Sequence, residues 1–361
     1  MLRWTVCLFS ILFSAGVMTG CASFGTVSNQ NKLVDDGLRE FSAFRVEDGG
    51  GNEEITIVLA FSGGGTRAAA LSYGVLTALR DTRVMNRGKS VRLLDEVDLI
   101  SSVSGGSFTS AYYGLYHDRI FEDFETRFLR KDISGDLIKR VLAPRTWFSD
   151  TARSEWAVEY YENTVFEGAT FADLTAKGKP VVVINASDLG GGVRFSFLQG
   201  YFDLLCSDLS TFPVARAVTA SSAVPLLFSP VVLRNYPGCR SGAAAYLKSI
   251  DPDRQTVQIR QVIDGLNSYA DKENRQYIHL VDGGITDNLG LMAIYEMVEV
   301  AGGIRPFIKQ TAGKPGKQFL LIVVDASTHS QNNIEKSNQV PSIEDTVNTM
   351  TDVQLHRYNA A

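Results

Sequence analysis

Three short stretches bring together the residue types that acyl chemistry needs. The first is Ser102-Val103-Ser104-Gly105-Gly106, directly after the apolar run Val97-Asp98-Leu99-Ile100. A strand that runs straight into a small-residue turn and then a helix lifts one hydroxyl above the sheet edge, and Ser104 stands at that position. The helix N-terminus beneath it offers unpaired N–H groups and a positive field to a developing anion. Ser101, Ser102 and Ser107 are neighbours, but only Ser104 has the elbow spacing. The second stretch is Ser62-Gly63-Gly64-Gly65-Thr66-Arg67-Ala68, whose successive glycine N–H groups can point into one concavity and bind an oxyanion. Gly63-x-Gly65-x-x-Ala68 also fits a dinucleotide fingerprint, yet the second strand closes on Ser104 instead of the acidic residue that fingerprint needs. A phosphate loop ending in Gly-Lys-Ser/Thr is absent. The third stretch, Asp282-Gly283-Gly284, puts a carboxylate at a strand end with room for another loop to approach. Such a carboxylate has the chemistry of a general base to a serine, although Asp-Gly is also an ordinary turn sequence.

These motifs need elements to hold them. Ile55–Phe61, Val97–Ile100, Val181–Ile184, Ile278–Val281 and Phe319–Val324 are short apolar runs rich in β-branched residues, each ended by Ser, Asn, Asp or Gly. They read as buried strands. Between the first two, Ala68, Leu71, Val75 and Leu79 fall in one helical stripe, and Phe108, Ala111, Tyr112 and Leu115 repeat that spacing. Apolar strands alternating with helices predict an α/β fold with a largely parallel sheet, ligands binding beyond the carboxyl ends of its strands. Residues 117–180 carry Phe121, Phe124, Phe128, Trp147, Trp156 and Tyr160, which read as helix-packing core or as the lining of an acyl-chain groove. Ile343, Val347 and Met350 share one face of a last amphipathic helix.

The three motifs, in this order and each after an apolar strand, resemble the patatin-like phospholipase family. Ala215-Arg-Ala-Val-Thr-Ala-Ser-Ser-Ala-Val-Pro225 looks like a fourth block of the same family. The resemblance covers roughly Ile55 to Val324 and implies a three-layer α/β/α sandwich with a mainly parallel central sheet. It implies Ser104 as nucleophile and Asp282 as its base, with Gly63, Gly64, Gly65 and Arg67 forming the oxyanion hole. It implies a phospholipid or other lipid ester as substrate, cleaved through an acyl-enzyme by a Ser–Asp dyad without histidine. Of the four histidines, His117, His279, His329 and His356, only His329 offers a rival mechanism, because Ser104, Asp282, His329 is the chain order of an α/β-hydrolase triad. A catalytically silent lipid-binding protein of the same fold, and transfer of the acyl group to an acceptor other than water, also stay open.

The chain has 361 residues, 45% of them apolar and 21% charged, which excludes a disordered or fibrous chain. With 35 basic and 40 acidic residues and no block of like charge, nothing indicates a nucleic-acid partner. No zinc-ligand spacing or calcium loop is visible, so no metal or cofactor is expected. Arg3, the apolar run Trp4–Val17 and the small residues after it have the layout of an export signal, the run being too short for a comfortable span. Met18-Thr19-Gly20-Cys21 resembles the bacterial lipoprotein signal, which implies lipidation of Cys21 and anchoring in the cell envelope, an ordinary signal peptide or a short uncleaved anchor being the alternative. With no Asp after Cys21, the resemblance favours the outer membrane, facing the periplasm. The expected organisation is a signal peptide over 1–20, a tether over 21–52, the acyl hydrolase domain over 53–330 and a C-terminal polar segment with its amphipathic helix over 331–361. In an oxidising compartment Cys206 and Cys239 are a candidate disulfide, two buried free thiols being the alternative.

Overall fold

Among the described residues seven strands build the central sheet: β1 (Ile55–Phe61), β2 (Val97–Val103), β3 (Val181–Asp188), β4 (Val193–Ser196), β5 (Val231–Arg234), β6 (Tyr277–Val281) and β7 (Gln318–Val324). The main helices are α1 (Gly65–Asp81), α2 (Gly105–Tyr116), α3 (Arg153–Thr164), α4 (Val214–Ser221), α5 (Gly242–Ser249), α6 (Val257–Asn267) and α7 (Met292–Val300). This computed structural model describes residues 25–32, 55–86, 88–131, 153–225, 227–307 and 318–327, together with positions 336, 338, 340 and 349. Cys21, Trp147, His329 and the expected last helix, Thr349 apart, lie outside the described residues.

The sheet is mainly parallel and has helices on both sides. β7, β1, β2 and β3 are parallel neighbours, and β1 and β2 are near-continuous apolar runs because both of their faces are covered. Two strands depart from the parallel expectation, since β6 is antiparallel to β3 and to β5, and β4 returns as a hairpin on β3. The register explains why this matters. Asn185 of β3 pairs with Val103 of β2 on one edge and Ser196 of β4 on the other. Two residues on, Ser187 pairs with Arg194 of β4 and Val281 of β6. β4 holds the same edge throughout, so β2 and β6 share the opposite edge of β3. They run toward each other and meet carboxyl end to carboxyl end, level with Ala186.

Neighbouring pairs lie on the same face of a sheet, so Asn185 faces away from Ser102. Ser110 of α2 donates to Ser102 Oγ at 2.6 Å on one side. On the other side Arg194 Nη1 donates to Asn185 Oδ1 at 3.1 Å, and Arg194 forms a buried ion pair with Glu296 of α7. The first helix differs from its expected stripe. α1 buries Ala68, Ala69, Ser72, Leu76 and Leu79, while Leu71 is 42% exposed. α1 lies against α2, with Thr109 Oγ1 donating to the Ala69 carbonyl at 2.9 Å, and this close approach turns the small residues inward. Among the described aromatics, Phe124 and Phe128 are core: Phe128 stacks on Phe108 at 4.3 Å, and Tyr161 meets Phe108 edge-on at 4.7 Å.

Part of the expected tether is packed on the domain. Asn29 and Arg234 exchange two hydrogen bonds, Arg234 N to Asn29 Oδ1 and Asn29 Nδ2 to Arg234 O, both 2.8 Å. Gln30–Asn31 pairs with Ser207–Asp208, and Lys32 N donates to the Cys206 carbonyl at 2.9 Å. Polarity alone does not reveal this, because these side chains replace strand partners at an open sheet edge instead of filling a core. A disulfide joins Cys206 to Cys239 beneath this strap. No helix among the described residues is long and apolar enough to cross a membrane.

Candidate active site

The end-on meeting of β2 and β6 brings two residues far apart in sequence into contact. Ser104 Oγ donates to Asp282 Oδ2 at 3.0 Å. Ser104 sits between β2 and α2 with φ 48° and ψ −120°, a left-handed conformation uncommon for a residue with a Cβ. What holds it there is a fully used hydroxyl. Ser221 Oγ, at the end of α4, accepts the Ser104 N–H at 2.8 Å and donates to the Asn185 carbonyl at 2.6 Å. With its one proton so placed, Ser221 accepts from Ser107 Oγ at 3.0 Å. One buried side chain thereby ties the elbow, the first turn of α2 and β3 together.

Asp282 opens the single turn Gly283–Ile285. Its Oδ1 accepts the Gly284 N–H at 2.7 Å, and its own N–H donates to the Ala223 carbonyl at 3.0 Å. Gly283 is needed for the meeting of the strands, since a Cβ there would stand 2.3 Å from the Asn185 carbonyl oxygen. Burial pushes the Asp282 carboxyl up to about 6, against the pull of the Gly284 and Ser104 hydrogen bonds. A carboxylate with that proton affinity is better matched to accepting a hydroxyl proton near neutrality than an exposed aspartate is.

The glycine loop lies against the elbow. A Cβ on Gly105 would stand 2.0 Å from the Gly65 carbonyl oxygen, so only glycine admits this approach. The loop is pinned from both sides: Gly63 N donates to the Asn288 carbonyl at 2.8 Å, Ala326 N donates to Ser62 Oγ at 2.8 Å, and Arg67 Nε donates to the Ala326 carbonyl at 3.0 Å. These bonds sort the four expected oxyanion residues. The Gly63 N–H is already engaged, and Arg67 Nε clamps the loop to the chain after β7. The N–H groups of Gly64, Gly65 and Gly105 meet no acceptor among the described residues. They are among the donors left for an anion beside Ser104, as are the Arg67 Nη groups.

Ser221, Asn185 and Asn288 are site residues that motif reading did not assign. Ser221 stands inside the fourth family-like block, which was the available signal; Asn185 and Asn288 had none beyond their places at a strand and a turn. Among the described residues, no group of three or more His, Cys, Asp or Glu side chains is placed to hold a metal ion.

A strained serine elbow, a carboxylate in direct contact with it and glycine N–H groups alongside that meet no acceptor among the described residues are the parts that serine acyl transfer requires. A family model for patatin-like phospholipase matches residues 59–295, well over half of the chain, and contains every one of these motifs. The chain belongs to the patatin-like phospholipase family, a family of lipid acyl hydrolases. No curated protein matches it.

Proposed function

We propose that this protein is a lipid-ester hydrolase in which Ser104 is the nucleophile and Asp282 its base. The observation that carries the reading is the 3.0 Å hydrogen bond from Ser104 Oγ to the Asp282 carboxylate at a strained elbow. Ser104 Oγ attacks the ester carbonyl carbon as its proton passes to Asp282. The negative charge on the carbonyl oxygen is received by the N–H groups of Gly64, Gly65 and Gly105. Collapse expels the alcohol, which takes the proton from Asp282 and leaves an acyl-Ser104. Water then gives a proton to Asp282 and attacks the acyl carbon; the acyl–oxygen bond breaks, Ser104 Oγ takes the proton back from Asp282, and the fatty acid leaves. Direct Ser104–Asp282 contact favours the dyad over the triad, because no imidazole is needed between the two groups.

Lipidation of Cys21 belongs to the same proposal, holding the enzyme at the envelope surface where its substrate lies. Mass analysis of the mature N-terminal peptide tests it, an acylated Cys21 being the expected result. For the site, the full chain is assayed on short nitrophenyl esters and phospholipid beside three variants. Ser104→Ala and Asp282→Asn are expected to lose roughly 10³-fold or more in kcat/KM, and His329→Ala to stay near the parent. Collapse of His329→Ala would replace the dyad by the triad. An inactive but folded parent on every ester and bilayer lipid would leave a silent lipid-binding protein.

A further inference from the structure

Beyond β3 and β4, where Arg194 meets α7, the antiparallel pair β5–β6 has one face that no described helix covers. Antiparallel register places Tyr277 with Arg234, and His279 with Val232, on a common face. Leu189 joins them, because its N–H donates to the His279 carbonyl at 2.9 Å one step beyond the Asp188–Leu280 pair. Tyr277 is 43% exposed and Leu189 60%, and His279 is exposed as well. The N-terminal strap crosses this same face. Gly25 stands over Val232, where a Cβ would be 2.4 Å from the valine Cγ2, and Val27 is left 37% exposed. At the other end the turn after Asp282 folds over it, with the hydroxyls of Thr286 and Ser187 2.8 Å apart. Ser187 pairs with Val281, so it points to the same side. Ile285 in that turn is 38% exposed. The face thus carries scattered apolar side chains and a tyrosine from the strap to the edge of the Ser104–Asp282 site.

We propose that this wing face docks on a lipid leaflet, the leaflet in which the chain's own N-terminus is held. The proposal rests on the lipid-ester reading of the site. The occupant follows from the lipidation of Cys21 proposed above, since Cys21 precedes Gly25, the start of the strap, by four residues. An extended chain of that length reaches about 14 Å at most. The strap has no slack of its own, being hydrogen-bonded at Asn29, Gln30 and Lys32 and backed by the Cys206–Cys239 disulfide. A membrane holding Cys21 therefore lies against this edge of the domain. Tyrosine beside arginine and histidine, with isolated aliphatic side chains, suits the boundary between headgroups and acyl chains. Substrate then comes from the leaflet that carries the enzyme.

Two measurements test this on the full chain in vesicles of phosphatidylethanolamine and phosphatidylglycerol. The combined variant Val27→Asp, Leu189→Asp, Tyr277→Asp should release fatty acid from the bilayer roughly tenfold more slowly, with hydrolysis of a soluble nitrophenyl ester within twofold of the parent. Bilayer hydrolysis within twofold of the parent would overturn the proposal. The second readout needs no activity. The additional fluorescence of Tyr277→Trp should be quenched by lipids brominated on their acyl chains, and unchanged emission would overturn docking even if the enzyme is active. If the parent sediments as a dimer that the triple variant dissociates, the face joins two copies and the proposal fails.

Discussion

At the scale of single residues, the proposed function depends on keeping a carboxylate charged where burial opposes charge. In the proposed dyad Asp282 must be ionised to accept the Ser104 proton, and its carboxyl is raised to about 6. The kcat/KM profile should therefore rise tenfold per pH unit below about pH 6 and level off above it. A flat profile from pH 4 to 8 would remove Asp282 from the role of base. Stability runs the other way. Because the folded-state value lies above the ordinary aspartate value, the neutral form is favoured in the fold, and this contribution is present below about pH 4 and lost as pH rises through 6. Asp282→Asn should thus gain on the order of 2 kcal/mol over the parent at pH 8, with the gain vanishing near pH 4 in denaturant titrations. Ser221 acts one step away. Ser221→Ala leaves the buried Ser104 N–H without an acceptor, which costs about 1–3 kcal/mol of stability and lets the elbow relax. A fall in kcat of roughly tenfold or more with KM little changed is expected, and an unchanged kcat in a folded variant would reduce Ser221 to a packing role.

At the scale of elements, the site exists because β2 and β6 end at the same level on one edge of β3. Asn185 marks that level: its side chain donates to Ser101 Oγ at 3.0 Å and the Ser102 carbonyl at 3.1 Å, and its carbonyl receives Ser221. Behind it Arg194 of β4 is paired with Glu296 of α7, both buried, and Arg194 Nη2 also donates to Tyr201 Oη at 2.9 Å. Asp287 completes the support by accepting the N–H groups of Leu291 at 3.0 Å and Ala293 at 3.2 Å at the start of α7. Glu296→Ala strands the arginine and is expected to destabilise the fold by about 3–5 kcal/mol, measured by urea unfolding. A loss below 1 kcal/mol would mean that the guanidinium finds other partners.

At the scale of the whole molecule, the disulfide and the strap form one brace at the open edge of the sheet. The bridge spans 33 residues, and Cys206 also receives the Lys32 N–H through its carbonyl. In the loop-entropy view, replacing both cysteines by alanine costs roughly 3–4 kcal/mol and should bring unfolding under reducing and oxidising conditions into coincidence. Persisting sensitivity to reductant in that double variant would place the effect elsewhere. A brace at this edge matters because β5 carries no further strand among the described residues, and unprotected edges invite unwanted pairing.

Much of the site was legible in the amino-acid order, because its chemistry is local. An apolar strand followed by Ser104-Gly105-Gly106, a run of three glycines and Asp282-Gly283-Gly284 each declare a backbone geometry within a few residues. The α/β layering followed from apolar runs alternating with helical stripes. Tertiary structure alone decided what is non-local: the reversed direction of β6, the end-on meeting that sets Asp282 beside Ser104, and the hydroxyl of Ser221 arriving from 117 positions away. It also decided that α1 turns Ala69 and Ser72 inward and leaves Leu71 outside, since a helix stripe is chosen by its neighbour as much as by its own period. The physical reason is the same in each case. Local backbone preference is written in adjacent residues, whereas register and contact are settled only when distant segments compete for the same edge.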